Sequence, residues 1–258
     1  MKVLVTGSTG LVGTALLKEL DHDVVGLTRR DGDLAADGVA DRLLDKHAPD
    51  VVVHLAAAVA KPGVAETVRD NVDATALVAA ACASHDARLL HGSTTSIGAT
   101  SLYAAAKRWS EEAALFFVPG ATLLRLAYPY GPARGAITTM IAQALRRDPI
   151  TVHRGSVRSW CWVGDAARAI ALLVENCTPG TVTIGNDREP TSMFDLARLV
   201  CALTDAPEGL IEEIEPPYGP TSAEPYADTR LESLGWRPNV SLEDGVQLLV
   251  AGYSPAAS

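Results

Sequence analysis

Tyr103 and Lys107 stand four residues apart in Tyr103-Ala104-Ala105-Ala106-Lys107, a spacing that puts both side chains on one face of a helix. A free phenol holds its proton up to a pKa of about 10, but an ammonium within a few ångströms stabilises the phenolate and lowers that value. A tyrosine so tuned can protonate a carbonyl oxygen as hydride reaches the carbon, or deprotonate an alcohol as hydride leaves. Ser93, Thr94 and Thr95 lie just upstream and offer hydroxyls to the same oxygen. Tyr-x-x-x-Lys alone recurs by coincidence on amphipathic helices. Its weight here comes from what accompanies it.

The accompaniment begins at Gly7, Gly10 and Gly13, spaced G-x-x-G-x-x-G directly after Val3-Leu4-Val5 and opening a helical stretch from Leu11. The first glycine permits a tight turn, the second lets backbone approach a pyrophosphate, and the third lets helix and strand pack closely. The helix N-terminus then offers N–H groups and partial positive charge to phosphates. Thr9, Gly10, Leu11, Val12 and Gly13 are therefore candidate dinucleotide-binding residues. About twenty residues on, a NAD site places a carboxylate against the ribose hydroxyls. Here the second strand ends in Thr28-Arg29-Arg30. Arginine pairs with a 2′-phosphate that a carboxylate would repel, so NADP(H) is favoured over NAD(H). Asp31 is close enough to neutralise one of the arginines.

These groups need a frame. Short apolar runs at Val3–Val5, Val24–Leu27, Val51–Leu55, Arg88–His91 and Thr122–Leu126 alternate with helix-length segments, notably Ala65–Ser84 and Leu102–Phe117. That alternation predicts βαβ units and an α/β fold, a Rossmann doubly wound parallel sheet. Beyond Tyr128 proline and glycine thicken, and helices are expected at Ile137–Arg146, Val163–Glu175 and Ser192–Leu203. We expect a NADP-binding domain over residues 1–130. Residues 131–258 are expected to form a small discontinuous C-terminal substrate lobe over the carboxyl ends of the strands, with some segments returning to the core.

The 258 residues carry a net charge of −9, which argues against a nucleic-acid-binding surface. The four cysteines form no C-x-x-C pair and the six histidines show no ligand spacing, so no metal site is expected. Met1-Lys2 runs straight into a strand-like segment, and the longest apolar run, Val51–Ala60, is too short to span a bilayer. The expectation is a cytoplasmic protein with no membrane partner.

The ordered motifs resemble the extended short-chain dehydrogenase/reductase family, its NAD-dependent epimerase/dehydratase group acting on nucleotide sugars. Besides the glycine loop, Asp33-Leu34 resembles the family's adenine-contacting pair, and His54-Leu55-Ala56-Ala57-Ala58 its loop under the cofactor. Asn71-Val72-Asp73-Ala74-Thr75 is similar to its N-V-x-G-T, with Ala74 in place of glycine. The segment from Arg125 to Pro132 resembles R-x-x-x-x-Y-G-P, and Arg158 to Asp165 its R-x-F-x-x-V-x-D. The resemblance implies that Gly7, Arg29, Arg30, Asp33, Leu34, Leu55, Ala56, Ala57, Asn71 and Tyr128 contact the cofactor with Tyr103 and Lys107. It implies Thr94 as the catalytic hydroxyl and Ser93, Thr95, Tyr130 and Arg158 as substrate-binding.

Within the family, dehydratases carry Asp-Glu after the catalytic threonine, where this chain has Thr95-Ser96. Dehydration is disfavoured. The resemblance implies reduction of a nucleotide-diphospho-4-keto-6-deoxysugar, with a NAD-dependent epimerase and a non-catalytic NADP(H)-binding sensor as alternatives. Thr94 and Tyr103 are nine residues apart, a shorter loop than the family's. Arg125 and Arg134 are further candidates for a diphosphate, a structural ion pair being the competing reading of Arg125. Trp160 and Trp162 could stack on a base or sugar, whereas Tyr218 and Trp236 read as lobe packing. Helices 65–84 and 102–117 are rich in small side chains, and the family resemblance implies a homodimer through that pair, intrachain packing being the competing reading.

Overall fold

The computed structural model describes residues 1–59, 63–133, 135–176, 178–186, 190–217, 219–223 and 226–253. The chain runs β1 (Lys2–Thr6), α1 (Leu11–Glu19), β2 (Asp23–Leu27), α2 (Val39–His47), β3 (Val51–His54), α3 (Val64–Val68), α4 (Ala74–Ser84), β4 (Arg88–Thr94), α5 (Leu102–Phe117) and β5 (Thr122–Leu126). It continues through β6 (Pro129–Tyr130), α6 (Ala136–Arg146), β7 (Ile150–His153), β8 (Val157–Arg158), β9 (Cys161–Trp162), α7 (Val163–Asn176) and β10 (Gly180–Ile184). It ends with β11 (Thr191–Ser192), α8 (Met193–Leu203), β12 (Ile211–Ile214), α9 (Thr229–Ser233) and α10 (Leu242–Ala251).

Two compact units divide these elements. The first comprises Met1–Leu126, Ala167–Ile184 and Asp228–Trp236, and the second Ala127–Ala166, Gly185–Ala227 and Arg237–Ser258. In the first unit six parallel strands lie in the order β10-β5-β4-β3-β1-β2, which bears out the Rossmann-type expectation. The chain reverses direction of winding between β1 and β3, the switch point at whose carboxyl side such sheets bind ligands. Strands covered on both faces are near-continuous apolar runs, and Val51, Val52 and Val53 are fully buried. One apolar layer packs Leu43 and Leu44 of α2 and Val78 and Cys82 of α4 against Leu4, Val52 and Leu89 of the sheet.

The sequence period over 65–84 reads as one helix. Instead a π-helical turn, Arg69–Asp73, joins α3 to α4. The cause is Asn71, whose buried amide bonds the backbone of Ala58 and the Thr67 carbonyl, while the Thr75 hydroxyl donates to the Asn71 carbonyl at 2.6 Å. Such side chains offer backbone groups an alternative to the regular helical ladder, and π-helical turns occur as single turns of this kind inside helices. The sixth strand, β10, falls in the half of the chain that sequence reading treats as helices and loops. Arg230 and Asp228 secure it: Asp228 accepts the Thr183 N–H, and Arg230 bonds the Thr181 carbonyl.

The second unit has its own core, in which Ile137, Met140 and Ile141 of α6 meet Leu196, Val200 and Cys201 of α8 and Val246 of α10. Three short pairings, β6 with β9, β7 with β12 and β8 with β11, stitch its loops together. Among the described residues no helix is long and apolar enough to cross a membrane.

Candidate active site

The first unit opens a cavity of about 850 Å³ at the carboxyl ends of β1, β2 and β3. Its floor is the glycine loop. Gly7 has φ +67°, and a Cβ there would sit 2.7 Å from the Ala56 nitrogen. A Cβ on Gly13 would lie 2.2 Å from the Gly7 carbonyl oxygen. Both positions therefore demand glycine, one for dihedral and approach and the other for approach alone. α1 starts at Gly10 with no side-chain cap, so its first N–H groups are offered to a ligand rather than to a serine or aspartate. The residues fit a dinucleotide.

Of the candidate cofactor contacts, Gly7, Thr9, Gly10, Arg29, Arg30, Asp33, Leu34, Leu55, Ala56 and Ala57 line the cavity. Leu11, Val12 and Gly13 form the first turn of α1. Asp31 does not neutralise the arginines. Its carboxylate accepts from the Thr28 amide (2.8 Å) and hydroxyl (3.0 Å), and those donors hold it below the usual carboxylate range. Asp70, which sequence reading missed, pairs instead with Arg29 at 3.3 Å and also lines the cavity. Asp33 is bonded to Arg69, which holds its carboxyl low. Arg30 has no ion-pair partner among the described residues. Asn71 is not among the cavity-lining residues; its amide bonds Ala58 and Thr67 and shapes the segment after β3.

The Tyr103 helix starts at Ser101, whose hydroxyl accepts the Ala104 N–H at 3.1 Å, an N-cap that places Tyr103 in the first turn. Lys107, one turn on, is 3% exposed, and its Nζ donates to the Gly92 carbonyl at 2.6 Å. Desolvation brings this ammonium down to about 8, against a partial opposing pull from Glu111. Burial pushes the Tyr103 phenol up. The lysine thus holds the strand end, and the expected lowering of the phenol is not present in the protein by itself.

β4 is longer than its apolar run and carries the hydroxyls on alternating faces. Thr94 caps a 3₁₀ turn, Thr95–Gly98, by accepting the Ser96 N–H, and Thr95 is half-buried in that turn. Ser93 is buried and donates to Glu111 Oε1 at 2.5 Å. Glu111 is itself gripped by Arg125, Nε to Oε1 at 2.9 Å and Nη2 to Oε2 at 2.7 Å. Arg125 is thus the structural ion pair. Glu111 was missed by sequence reading, although its position one turn beyond Lys107 on the same face was a readable signal.

In the second unit the Arg158 guanidinium carbon lies 4.8 Å from the Tyr128 ring centre and 5.7 Å from that of Trp160. Its Nε is buried without a hydrogen-bond partner among the described residues, and desolvation pulls its pKa down. Aromatic faces suit a cation, and the orphaned donor suits an anion. Tyr130 is 5% exposed in the core of this unit, and its hydroxyl donates to the Ser241 carbonyl. Trp160 is buried beside it. Trp236 is buried within the first unit. Arg134 and Tyr218 lie outside the described residues. Among the described residues no three His, Cys, Asp or Glu side chains are grouped to hold a metal.

Fold and cavity together define a Rossmann-type protein whose glycine loop opens on a cavity that fits a dinucleotide. The NAD dependent epimerase/dehydratase family model matches residues 3–185, and the chain belongs to that family. It is 30% identical over 173 residues to UDP-glucuronic acid decarboxylase 2 of Arabidopsis thaliana, covering 63% of this chain and 39% of that protein. The chain therefore spans about two fifths of the length of that relative. It is 27% identical over 235 residues to a dTDP-4-keto-6-deoxy-D-glucose reductase of Streptomyces niveus, covering 82% and 81%. The fold is shared with a dTDP-4-dehydrorhamnose reductase of Bacillus anthracis in complex with NADP (TM-score 0.84, 20% identity, 98% and 99% covered). It is shared equally with UDP-glucose 4-epimerase of Thermotoga maritima (TM-score 0.84, 23% identity, 97% and 98% covered).

Proposed function

We propose that this chain is an oxidoreductase that uses NADPH to reduce the 4-keto group of a nucleotide-diphospho-4-keto-6-deoxysugar. The observation that carries the reading is the rim beyond β2, where Arg29 and Arg30 line the cavity and Asp31 is tied to Thr28. Guanidinium groups at that point favour a 2′-phosphate. A cofactor consumed as reductant fits a reductase better than an enzyme that keeps NAD for internal redox. Alignment along four fifths of both chains with a relative named as a dTDP-4-keto-6-deoxy-D-glucose reductase supports the same reading.

In this reading Gly7, Gly10, Arg29 and Arg30 would hold NADPH, which would supply the hydride that reduces the keto carbon. Tyr103 delivers its phenolic proton to the keto oxygen. Thr94 donates a hydrogen bond to that oxygen, and Lys107, charged and anchored on Gly92, holds the strand end that carries Thr94. Within the second unit, Arg158 beside Tyr128 and Trp160 is a candidate to take an anionic group. Trp109 and Phe116, 45% and 78% exposed on α5, support a homodimer through that helix.

The test is titration with NADPH and NADH by tryptophan fluorescence, followed by a dTDP-4-keto-6-deoxyglucose pool while reduced-cofactor absorbance is watched. NADPH is expected to bind at least tenfold more tightly (about 1.4 kcal/mol) and to be oxidised, and Arg30→Ala is expected to erase most of the preference. NADH preference, or a NAD that survives purification, would transfer the reading to an epimerase.

A further inference from the structure

Two successive turns of α5 are fastened to two successive residues of β4. Lys107 Nζ donates to the Gly92 carbonyl at 2.6 Å, and Glu111 Oε1 accepts from the Ser93 hydroxyl at 2.5 Å. The next residue of the strand is Thr94, and one turn back along the helix is Tyr103. The relative placement of the three proposed reacting groups is therefore set by a two-point clamp. The Glu111 point is reinforced: the carboxylate is 6% exposed and takes both hydrogen bonds of the Arg125 fork from β5. A buried carboxylate costs folding energy unless it is paired and hydrogen-bonded. This one has three donors, more than a salt bridge alone requires.

We propose that Glu111 is a positioning residue for the Tyr103–Lys107 pair, pinning α5 to the end of β4 and setting a carboxylate one helical turn from the lysine ammonium. The inference rests on the reading of Tyr103, Lys107 and Thr94 as the reacting set. Arg125 and Ser93 orient the carboxylate, and they leave net negative charge close to Lys107 only in part, since Arg125 neutralises some of it. The remainder opposes the desolvation of Lys107. The other titratable groups whose fields meet that of Lys107 are His54 of β3 and His91 of β4, both buried and neutral. Neither supplies an anion. Tyr103 on the same helix face is uncharged while its proton is held.

The chain has only five lysines, at 2, 18, 46, 61 and 107, so selective lysine Cε labelling resolves Lys107 by NMR, with Lys107→Met for assignment. In Glu111→Gln the Lys107 titration midpoint is expected to fall below the wild-type one by on the order of one pH unit. With the keto-sugar pool and NADPH, kcat is expected to drop about tenfold (roughly 1.4 kcal/mol of barrier) with KM little changed. Glu111→Leu with Arg125→Met removes both partners of the buried pair, a replacement that folds tend to tolerate, and should lower the same midpoint. An unchanged midpoint in either folded variant overturns the proposal. So does a wild-type kcat in Glu111→Gln. A wild-type protein that leaves the keto-sugars unreduced strikes instead at the proposed reaction, and the lysine titration still decides the role of Glu111.

Discussion

Burial raises the Tyr103 phenol, and Lys107 is occupied with the Gly92 carbonyl, so the proton on Tyr103 is firmly held in the protein by itself. A general acid needs to hold its proton until the oxygen begins to carry charge, and a raised phenol suits the direction of reduction. Tyr103→Phe removes the proton while preserving the ring and its packing. Turnover is expected to fall by roughly 10²–10⁴-fold with NADPH affinity unchanged, read by single-turnover absorbance and by fluorescence titration. Activity within tenfold of wild type would strip Tyr103 of the role. The Tyr-Lys pair itself was legible from spacing. The choice among Ser93, Thr94 and Thr95 was not, because it depends on where β4 ends: one further residue of strand reverses which hydroxyl faces the core.

The glycine loop binds β1 to α1 through contacts that no side chain can share. Gly13→Ala would drive a methyl to 2.2 Å from the Gly7 carbonyl, forcing the helix off the strand at a cost of about 1–3 kcal/mol. A lowered thermal midpoint with loss of NADPH binding is expected. Gly120→Ala, where a methyl would meet open space, should leave both unchanged and serves as the control. If Gly13→Ala binds NADPH like the wild type, the loop is not the phosphate cradle. At this scale the sequence declares β1, the loop and α1 because period, glycine spacing and order coincide. It conceals the π-helical turn at Arg69–Asp73, since the apolar pattern of 65–84 continues through it. What breaks the helix is a long-range bond from Asn71 to Ala58, and local propensity carries no trace of that partner. The partner of the Tyr130 hydroxyl is hidden for a related reason: it is a carbonyl 111 residues away.

On the scale of the molecule, the least visible features are those assembled from distant segments. β10 joins β5 only after a long excursion through the second unit, and two histidines become neighbours only when β3 pairs with β4. His54 and His91 face each other across that register with ring centres 5.6 Å apart. Both are fully desolvated near the Lys107 ammonium, which brings His54 down to about 3 and His91 well below its ordinary 6.5. His54 is held between the Thr6 and Thr75 hydroxyls, and His91 against Ser110. Folding therefore requires two neutral imidazoles. The unfolded chain binds protons on them below about pH 6.5 and the native one does not, so stability rises with pH across this window. It is complete above 6.5 and is lost as pH falls toward 3, with a slope approaching about 1.4 kcal/mol per pH unit for each histidine. Asp31, Asp33 and Asp228, also lowered in the fold, contribute only near and below their unfolded value of 3.8. The interval from pH 6.5 to 4.5 thus isolates the histidines. Urea midpoints across that interval should fall steadily in the wild type and about half as steeply in His54→Gln, whose amide can still reach a threonine hydroxyl. An equally steep decline in that variant would show that acid sensitivity arises elsewhere.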